Sequence, residues 1–342
     1  MVENSFTMEK ILLVAPPHMN LYKDVENGLR ILGMDVTSII HTAFPNDPYF
    51  INNPKSKDYD ERMFQDNLKN YWESLFISKE HSWIYDFLLV INGAFIHHCL
   101  FEKLRSINPN IICINYIFDN VTRVYNLQRN FKYFDRIFTF DRSDAEALGL
   151  TFLPNYWMKI ESKGYPHYDV FGFGSYNKTR YQLFREIDII SKKLHKSRFI
   201  KLYTPPISGN VAKIKNLAKC IVGENAKIKR SGLLIHKFLE PEDFRQYILS
   251  SDIIIDTCNP LQDGLTPRFM WALGTGKKII TDNKSVREYK FYDPRQIMVI
   301  DDSKNIIIPD DFFQNPFYVD DEYYNKIGEL RIDNWLKEML YP

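Results

Sequence analysis

The sequence predicts an α/β protein made of two successive parallel-sheet units, and three observations carry that expectation. Short runs that are apolar apart from a leading Lys10, such as Lys10–Ala15 (KILLVA), or throughout, such as Phe87–Ile91 (FLLVI), recur along the chain, the pattern of strands buried on both faces. Helical stretches alternate with them, as crossover connections between parallel strands require. The rhythm breaks over 150–168, where Pro154, Gly164 and Pro166 fall, and then restarts. A chain of 342 residues suits two domains of roughly 100–200 residues each.

In the first half, Lys10–Ala15 is ended by Pro16 and Pro17, and a helix is expected over 22–32, stopped by Gly33. Strands follow at 36–40, 87–91, 111–116 and 136–140, with helices at 59–78 and 101–107. Asp141-Arg142-Ser143-Asp144 reads as a helix start. In the second half, strands are expected at 170–173, 199–203, 232–235, 252–256, 278–281 and 297–300. Helices are expected at 179–194, 241–249 and 267–273, with Glu240, Glu242 and Asp243 favourable at the start of the second. The acidic stretch 301–325 reads as loop, and 324–339 as a final helix.

Composition excludes several classes. Hydrophobic residues make up 45% and charged residues 25%, enough apolar side chain to offset the entropy of ordering. The net charge of +1 gives no global attraction to nucleic acid, although the half beyond residue 157 is the more basic. Cys99, Cys113, Cys220 and Cys258 lie far apart without a CxxC, so neither a zinc site nor a disulfide framework is indicated. MVENSFTMEK lacks a basic and then apolar leader pattern, and no apolar run approaches the ~20 residues that span a bilayer. The expected location is cytoplasmic, with a peripheral contact at the inner face of the membrane left open. The aromatic-basic stretch Tyr156, Trp157, Met158, Lys159, Lys163, Tyr165 and Tyr168 suggests that contact; a linker packed against protein is the alternative.

Ligands of open α/β sheets bind beyond the carboxyl ends of the strands, so chemistry is sought there. The most informative stretch follows strand 252–256: Gln262-Asp263-Gly264-Leu265-Thr266-Pro267-Arg268, opening a helix. Gly264 permits close backbone approach, and Pro267 suits a first helical turn. The amides of Leu265, Thr266 and Arg268, the Thr266 hydroxyl and the Arg268 guanidinium form an expected anion pocket. A departing nucleoside diphosphate needs such groups where no metal neutralises it.

This segment resembles the donor-binding region of GT-B glycosyltransferases. More narrowly, it is similar to bacterial lipopolysaccharide, capsule and spore-coat glycosyltransferase-like proteins, which carry Gln-x-Gly-Leu-Thr-x-Arg. Ala272 to Lys278 matches the small-residue turn that follows in that family. The resemblance covers about 170–300 and reaches the first half by architecture alone. It implies two Rossmann-like domains facing a cleft, an acceptor domain over 1–155, a nucleotide-sugar domain over 169–320, and a C-terminal helix, 321–342, packing back toward the first. It also implies that Gly174 and Ser175 face the diphosphate, that Arg180 belongs to the domain entry, and that His236, Lys237 and Phe238 flank the nucleobase. The family's ribose-binding Glu has no counterpart among Phe269, Met270 and Trp271, and Asp263 is the candidate substitute.

On the acceptor side, His18 follows the first strand and Asp119 the fourth, and each is a candidate general base. The alternatives are a structural His and a helix-capping Asp. His97-His98 is not read as a metal pair, because adjacent side chains point apart. Asp58-Tyr59-Asp60 is a literal D-x-D, but it lies in a polar stretch and reads as surface. The expected activity is metal-independent glycosyl transfer, without a resident cofactor, from a nucleotide sugar to a glycan or lipid-linked acceptor. A GT-B nucleotide-sugar epimerase and a catalytically silent binding module are the rival expectations.

Overall fold

The computed structural model describes residues 8–40, 60–78, 82–122, 127–206, 228, 230–258, 262–302 and 305–342. The chain forms two compact units: Met1–Tyr156 with Pro260–Gly264 and Glu329–Pro342, and Trp157–Asn259 with Leu265–Gly328. Cys220, Asp58 and Tyr59 lie outside the described residues.

The first unit is built on six parallel strands: β1 (Lys10–Ala15), β2 (Asp35–Ile40), β3 (Phe87–Ile91), β4 (Ile112–Ile117), β5 (Arg136–Thr139) and β6 (Thr151–Phe152). Their order is β2-β1-β3-β4-β5-β6, so β1 and β3 are neighbours although β2 lies between them in sequence. Ile11, Leu12, Leu13 and Val14 are all fully buried, which is why this run has no polar alternation. Helices α1 (Leu21–Ile31), α2 (Glu61–Ile77), α3 (His98–Ile107) and α4 (Arg142–Leu148) connect the strands. Trp72 of α2 is buried with Leu88, Val90 and Phe101, and its Nε1 donates to the Phe95 carbonyl at 3.1 Å. Asp60 caps α2 by accepting from the Met63 amide at 3.0 Å.

His97 caps α3, its Nδ1 accepting from the Cys99 amide at 3.2 Å. Burial, then the neighbouring charges of His98 and Lys69, lower its pKa from 6.5 to about 4.

The second unit also has six parallel strands: β7 (Tyr168–Ser175), β8 (Arg198–Tyr203), β9 (Leu234–Ile235), β10 (Ser251–Asp256), β11 (Lys278–Thr281) and β12 (Ile297–Val299). Their order is β12-β11-β10-β7-β8-β9. Its helices are α5 (Lys178–Lys193), α6 (Pro241–Leu249), α7 (Pro267–Gly274), α8 (Asp310–Gln314) and α9 (Asp321–Lys326). Phe184, Ile187, Ile200, Ile253 and Ile255 belong to one buried cluster beneath the sheet. In mid-β7, Gly172 leaves room for Ile255, whose Cδ1 would lie 2.8 Å from an added Cβ.

The structure departs from three local expectations. The stretch from 150 is not plain linker: Thr151–Phe152 pairs with β5, and Tyr156 and Trp157 are buried, so those two rings have no membrane to meet. The acidic stretch is partly helical, because Asp310 and Asp311 sit in the first turn of α8 while Phe312 and Phe313 are buried. The final helix divides into α9 and α10 (Ile332–Leu340), separated by a turn at Gly328–Leu330.

Helix α10 packs within the first unit, on α1. Gly28 makes that approach possible, since an added Cβ would lie 2.7 Å from Leu336 Cδ1. Trp335 is fully buried, with its ring 4.6 Å from Tyr116 and 4.8 Å from Tyr156, and Nε1 donates to the Pro154 carbonyl at 3.0 Å. Arg136 Nη1 closes the end of α10 by donating to the carbonyls of Met339 and Leu340 at 2.9 and 2.6 Å.

Trp335→Ala is expected to destabilise the first unit by about 3–5 kcal/mol in urea unfolding, the usual cost of deleting a buried Trp. His97 binds fewer protons folded than unfolded between its folded and free pKa values. Stability is therefore expected to fall as pH drops from 6.5 toward 4. His97→Asn, which keeps a capping side chain without the titration, should flatten that fall in pH-dependent melts.

Candidate functional site

In a doubly wound sheet the ligand position is fixed by topology: it lies beyond the carboxyl ends of the strands where the order reverses. In the second unit that pair is β7 and β10. Gly174 and Ser175 end β7, and Asn177 caps α5 by accepting from the Arg180 amide at 2.8 Å. This start places Arg180 in the first turn, with its side chain running back over the strand end. Its Nε donates to Thr257 Oγ1 at 2.6 Å and its Nη1 to the Ser175 carbonyl at 2.5 Å. Gly174 is small for that reason, since an added Cβ would lie 3.1 Å from Arg180 Cδ.

Asp256 ends β10 and is 1% exposed. Its Oδ1 accepts from Thr266 Oγ1 at 2.7 Å, and its Oδ2 from Thr281 Oγ1, at the end of β11, at 3.4 Å. Arg268 Nη1 lies 3.4 Å from Oδ1, and the guanidinium sits 5.6 Å from the Phe244 ring centre. Asp282, one residue beyond β11, accepts from the Cys258 amide at 2.8 Å. Two guanidiniums and two carboxylates thus share the carboxyl ends of three strands. Burial lowers the Arg180 pKa, the Arg268 charge lowers it further, and Asp256 and Asp282 oppose the shift. Burial raises the Asp282 carboxyl, as does the charge of Asp256. Burial also raises the Cys258 thiol, which makes it a poor nucleophile.

The structure assigns several predicted donors of this segment to the protein itself. The Thr266 hydroxyl donates to Asp256 and accepts the Phe269 amide at 3.1 Å, so it caps α7. The Arg268 guanidinium is paired with Asp256. Leu265 is fully buried. Asp263 and Gly264 belong to the first unit, where the Asp263 amide donates to Asp141 at 2.9 Å and its carboxylate meets the Ser143 hydroxyl. The close approach at Gly264 is to Phe140, whose carbonyl oxygen would lie 2.7 Å from an added Cβ. Phe269, Met270 and Trp271 are core residues, all at most 1% exposed.

His236, Lys237 and Phe238 follow β9. Phe238 is 44% exposed, with its ring edge-on to Phe173 at 5.7 Å and Tyr203 at 5.1 Å. His236 Nδ1 meets Thr204 at its hydroxyl and carbonyl, 3.1 and 3.0 Å away.

In the first unit the order reverses between β1 and β3. His18 is exposed beyond β1, and Met19 and Asn20 beside it adopt left-handed backbone, with φ of 51° and 55°. Asn92, with φ of 63° beyond β3, accepts from the Phe118 amide at 2.7 Å through Oδ1. Asp119 accepts from Gln262 Nε2 at 2.9 Å, and Asp141 both caps α4 and holds the Asp263 amide. Asp119 and Asp141 therefore share the short stretch 262–264. Asp256, Thr257, Asp282 and the second role of Asp141 stand outside the motifs that the sequence offers. The available signal was a carboxylate at or just past each of two strand ends.

Among the described residues, no group of three or more His, Cys, Asp or Glu is arranged to hold a metal ion, and no helix is long and apolar enough to cross a membrane.

No family model and no curated protein sequence matches this chain. Its fold is similar to that of an α,α-trehalose-phosphate synthase (UDP-forming) from Burkholderia vietnamiensis, with a TM-score of 0.57 at 10% identity over 98% of this chain and 96% of that one. It is also similar to AviGT4, a glycosyltransferase involved in avilamycin A biosynthesis, with a TM-score of 0.54 at 12% identity, covering 97% and 96%. A structure assigned as a UDP-N-acetylglucosamine 2-epimerase from Listeria monocytogenes gives 0.50 at 13% identity, covering 97% and 94%. At such identities the likeness is one of fold: two Rossmann-like units, each on a six-stranded parallel sheet, as in GT-B proteins.

Proposed function

We propose that this chain is a nucleotide-sugar-dependent glycosyltransferase whose donor diphosphate is held at the β7/β10 switch point of the second unit. One observation carries the proposal. Arg268 Nε and Nη1 are buried there without a hydrogen-bond partner among the described residues, despite the nearby Asp256. An unsatisfied buried donor costs about 1–3 kcal/mol, and a charged one more. Separate oxygens of a diphosphate would satisfy these two donors, which face different edges of the guanidinium, and the anion would relieve the repulsion between Arg268 and Arg180. Backbone at Gly174 and Ser175 lies beside the same strand end, and Phe238 with Lys237 offers an aromatic face and a cation for a nucleobase.

On this proposal Thr266 and Leu265 position Arg268, while Asp263 and Gly264 anchor their stretch in the first unit. His18 is the preferred acceptor base, because it is exposed at the first unit's own switch point. Asp119 is engaged by Gln262. The proposed acceptor is a bacterial surface glycan such as lipopolysaccharide or capsule, by resemblance of the Gln262–Arg268 motif. Two guanidiniums supply the charge that a metal supplies elsewhere, so turnover is expected to survive EDTA. The epimerase fold neighbour keeps that activity as the second reading. It is separated by incubating nucleotide sugar alone, since an epimerase makes the epimer and a transferase does not.

A thermal-shift panel of UDP-, GDP-, ADP- and CDP-sugars should yield one class that stabilises the protein, by about 2.7 kcal/mol at a hundred times its Kd. Arg180→Ala and Arg268→Ala should each weaken that donor by about 10–100-fold, the worth of one or two charge-assisted hydrogen bonds. An unchanged shift in both variants overturns the assignment. Thr266→Val should lower donor affinity and destabilise the second unit by about 1–3 kcal/mol, because it removes the cap of α7 and leaves an oxygen of the buried Asp256 carboxylate short of a donor. His18→Ala should lower kcat by about 10²–10⁴-fold with donor affinity unchanged.

A further inference from the structure

A cavity of about 650 Å³ lies elsewhere in the second unit, where Lys278 begins β11 and Gln296 precedes β12. In a parallel sheet this is the opposite end from the switch point, so the cavity is not the donor site. Its volume falls within the range of small-molecule sites. From its lining we infer that it is a binding site for a neutral saccharide.

Rings supply one argument. Tyr292, Phe317 and Tyr323 line the cavity half-buried, and Tyr318 stands 83% exposed at it. Tyr318 thus stands at the mouth beside three further rings, and sugar C–H faces stack on such a cluster.

Charge supplies the second. The lining holds Asp293, Asp311, Asp320 and Glu322 against Lys278, Lys290, Arg295 and Lys326, so it exerts no net pull on an anion. The cations are largely spent internally. Arg295 holds Asp293 at 2.6 Å, Lys326 holds Glu322 at 2.8 Å, and Lys278 Nζ donates to the carbonyls of Phe312 and Asn315. Nucleotides and phosphates are disfavoured for that reason.

The wall of the cavity also holds an orphaned acceptor. Gln296 is fully buried, and its Nε2 donates to the Lys277 carbonyl at 3.1 Å and to the Tyr323 hydroxyl at 2.7 Å. Tyr323 in turn donates to the Leu273 carbonyl at 2.5 Å, which fixes the amide orientation. Gln296 Oε1 is left without a partner among the described residues. It lacks a donor, and a sugar hydroxyl is one where an ionised phosphate is not.

The full chain, applied to an array of neutral and acidic glycans, should retain a neutral glycan, whose Kd is then measured by calorimetry. Tyr318→Ala should weaken that binding at least tenfold with an unchanged melting temperature, since the ring is exposed. Arg180→Ala should leave it unchanged while weakening nucleotide-sugar binding, which separates this site from the donor site. Retention of acidic glycans only, of no glycan, or of the same glycan equally well by Tyr318→Ala overturns the inference.

Discussion

The buried carboxylate of Asp256 is the constraint around which the candidate site is organised. A carboxylate 1% exposed must be fully compensated or it destabilises the fold by several kcal/mol. Here the compensation comes from Thr266, Thr281 and Arg268. Each bond fixes something else. Thr281 ties β10 to β11 at their carboxyl ends, and Thr266 is held as the cap of α7. Arg268 is kept near the strand ends by its charge instead of extending into solvent, with Nε and Nη1 lacking a hydrogen bond among the described residues.

Those unused donors set the electrostatics. Arg180 reaches the same place from α5, through Thr257 and the Ser175 carbonyl. Neither guanidinium is well solvated, and the Arg268 charge disfavours that of Arg180. Such an arrangement persists only where packing over-determines it, and it is improved by an anion. The uncharged sugar site inferred at the other end of the sheet differs in kind: its cations are already paired, and its orphaned atom is an acceptor.

Much of the fold was legible in the sequence. The largely apolar runs at 10–15, 87–91 and 278–281 became the strands expected of them, because a strand covered on both faces admits a polar side chain only where it is hydrogen-bonded, as Lys278 and Thr281 are. What was not legible has local causes. A two-residue strand such as Thr151–Phe152 has too few residues to show a period, and its place depends on β5. The division between α9 and α10 turns on Gly328 and on Trp335 being drawn into the ring cluster of Tyr116 and Tyr156. At the site, spacing marked Thr266 and Arg268 as important without revealing that Asp256 takes the hydroxyl and part of the guanidinium. Nor does spacing tell that Asp263 hands its amide to Asp141, a residue more than a hundred positions earlier. Hydrogen bonds of that reach are set by topology, which local pattern does not encode.

On this reading Arg180 and Arg268 together receive a diphosphate. That is tested most directly by following the arginine Nε–Hε resonances of the 15N-labelled protein, with these two assigned by Arg→Lys variants. Adding UDP, GDP, ADP or CDP in turn should shift both resonances for one nucleotide, and the matching nucleoside should leave them in place. Binding of a nucleoside diphosphate that moves neither would show that these two guanidiniums do not hold it.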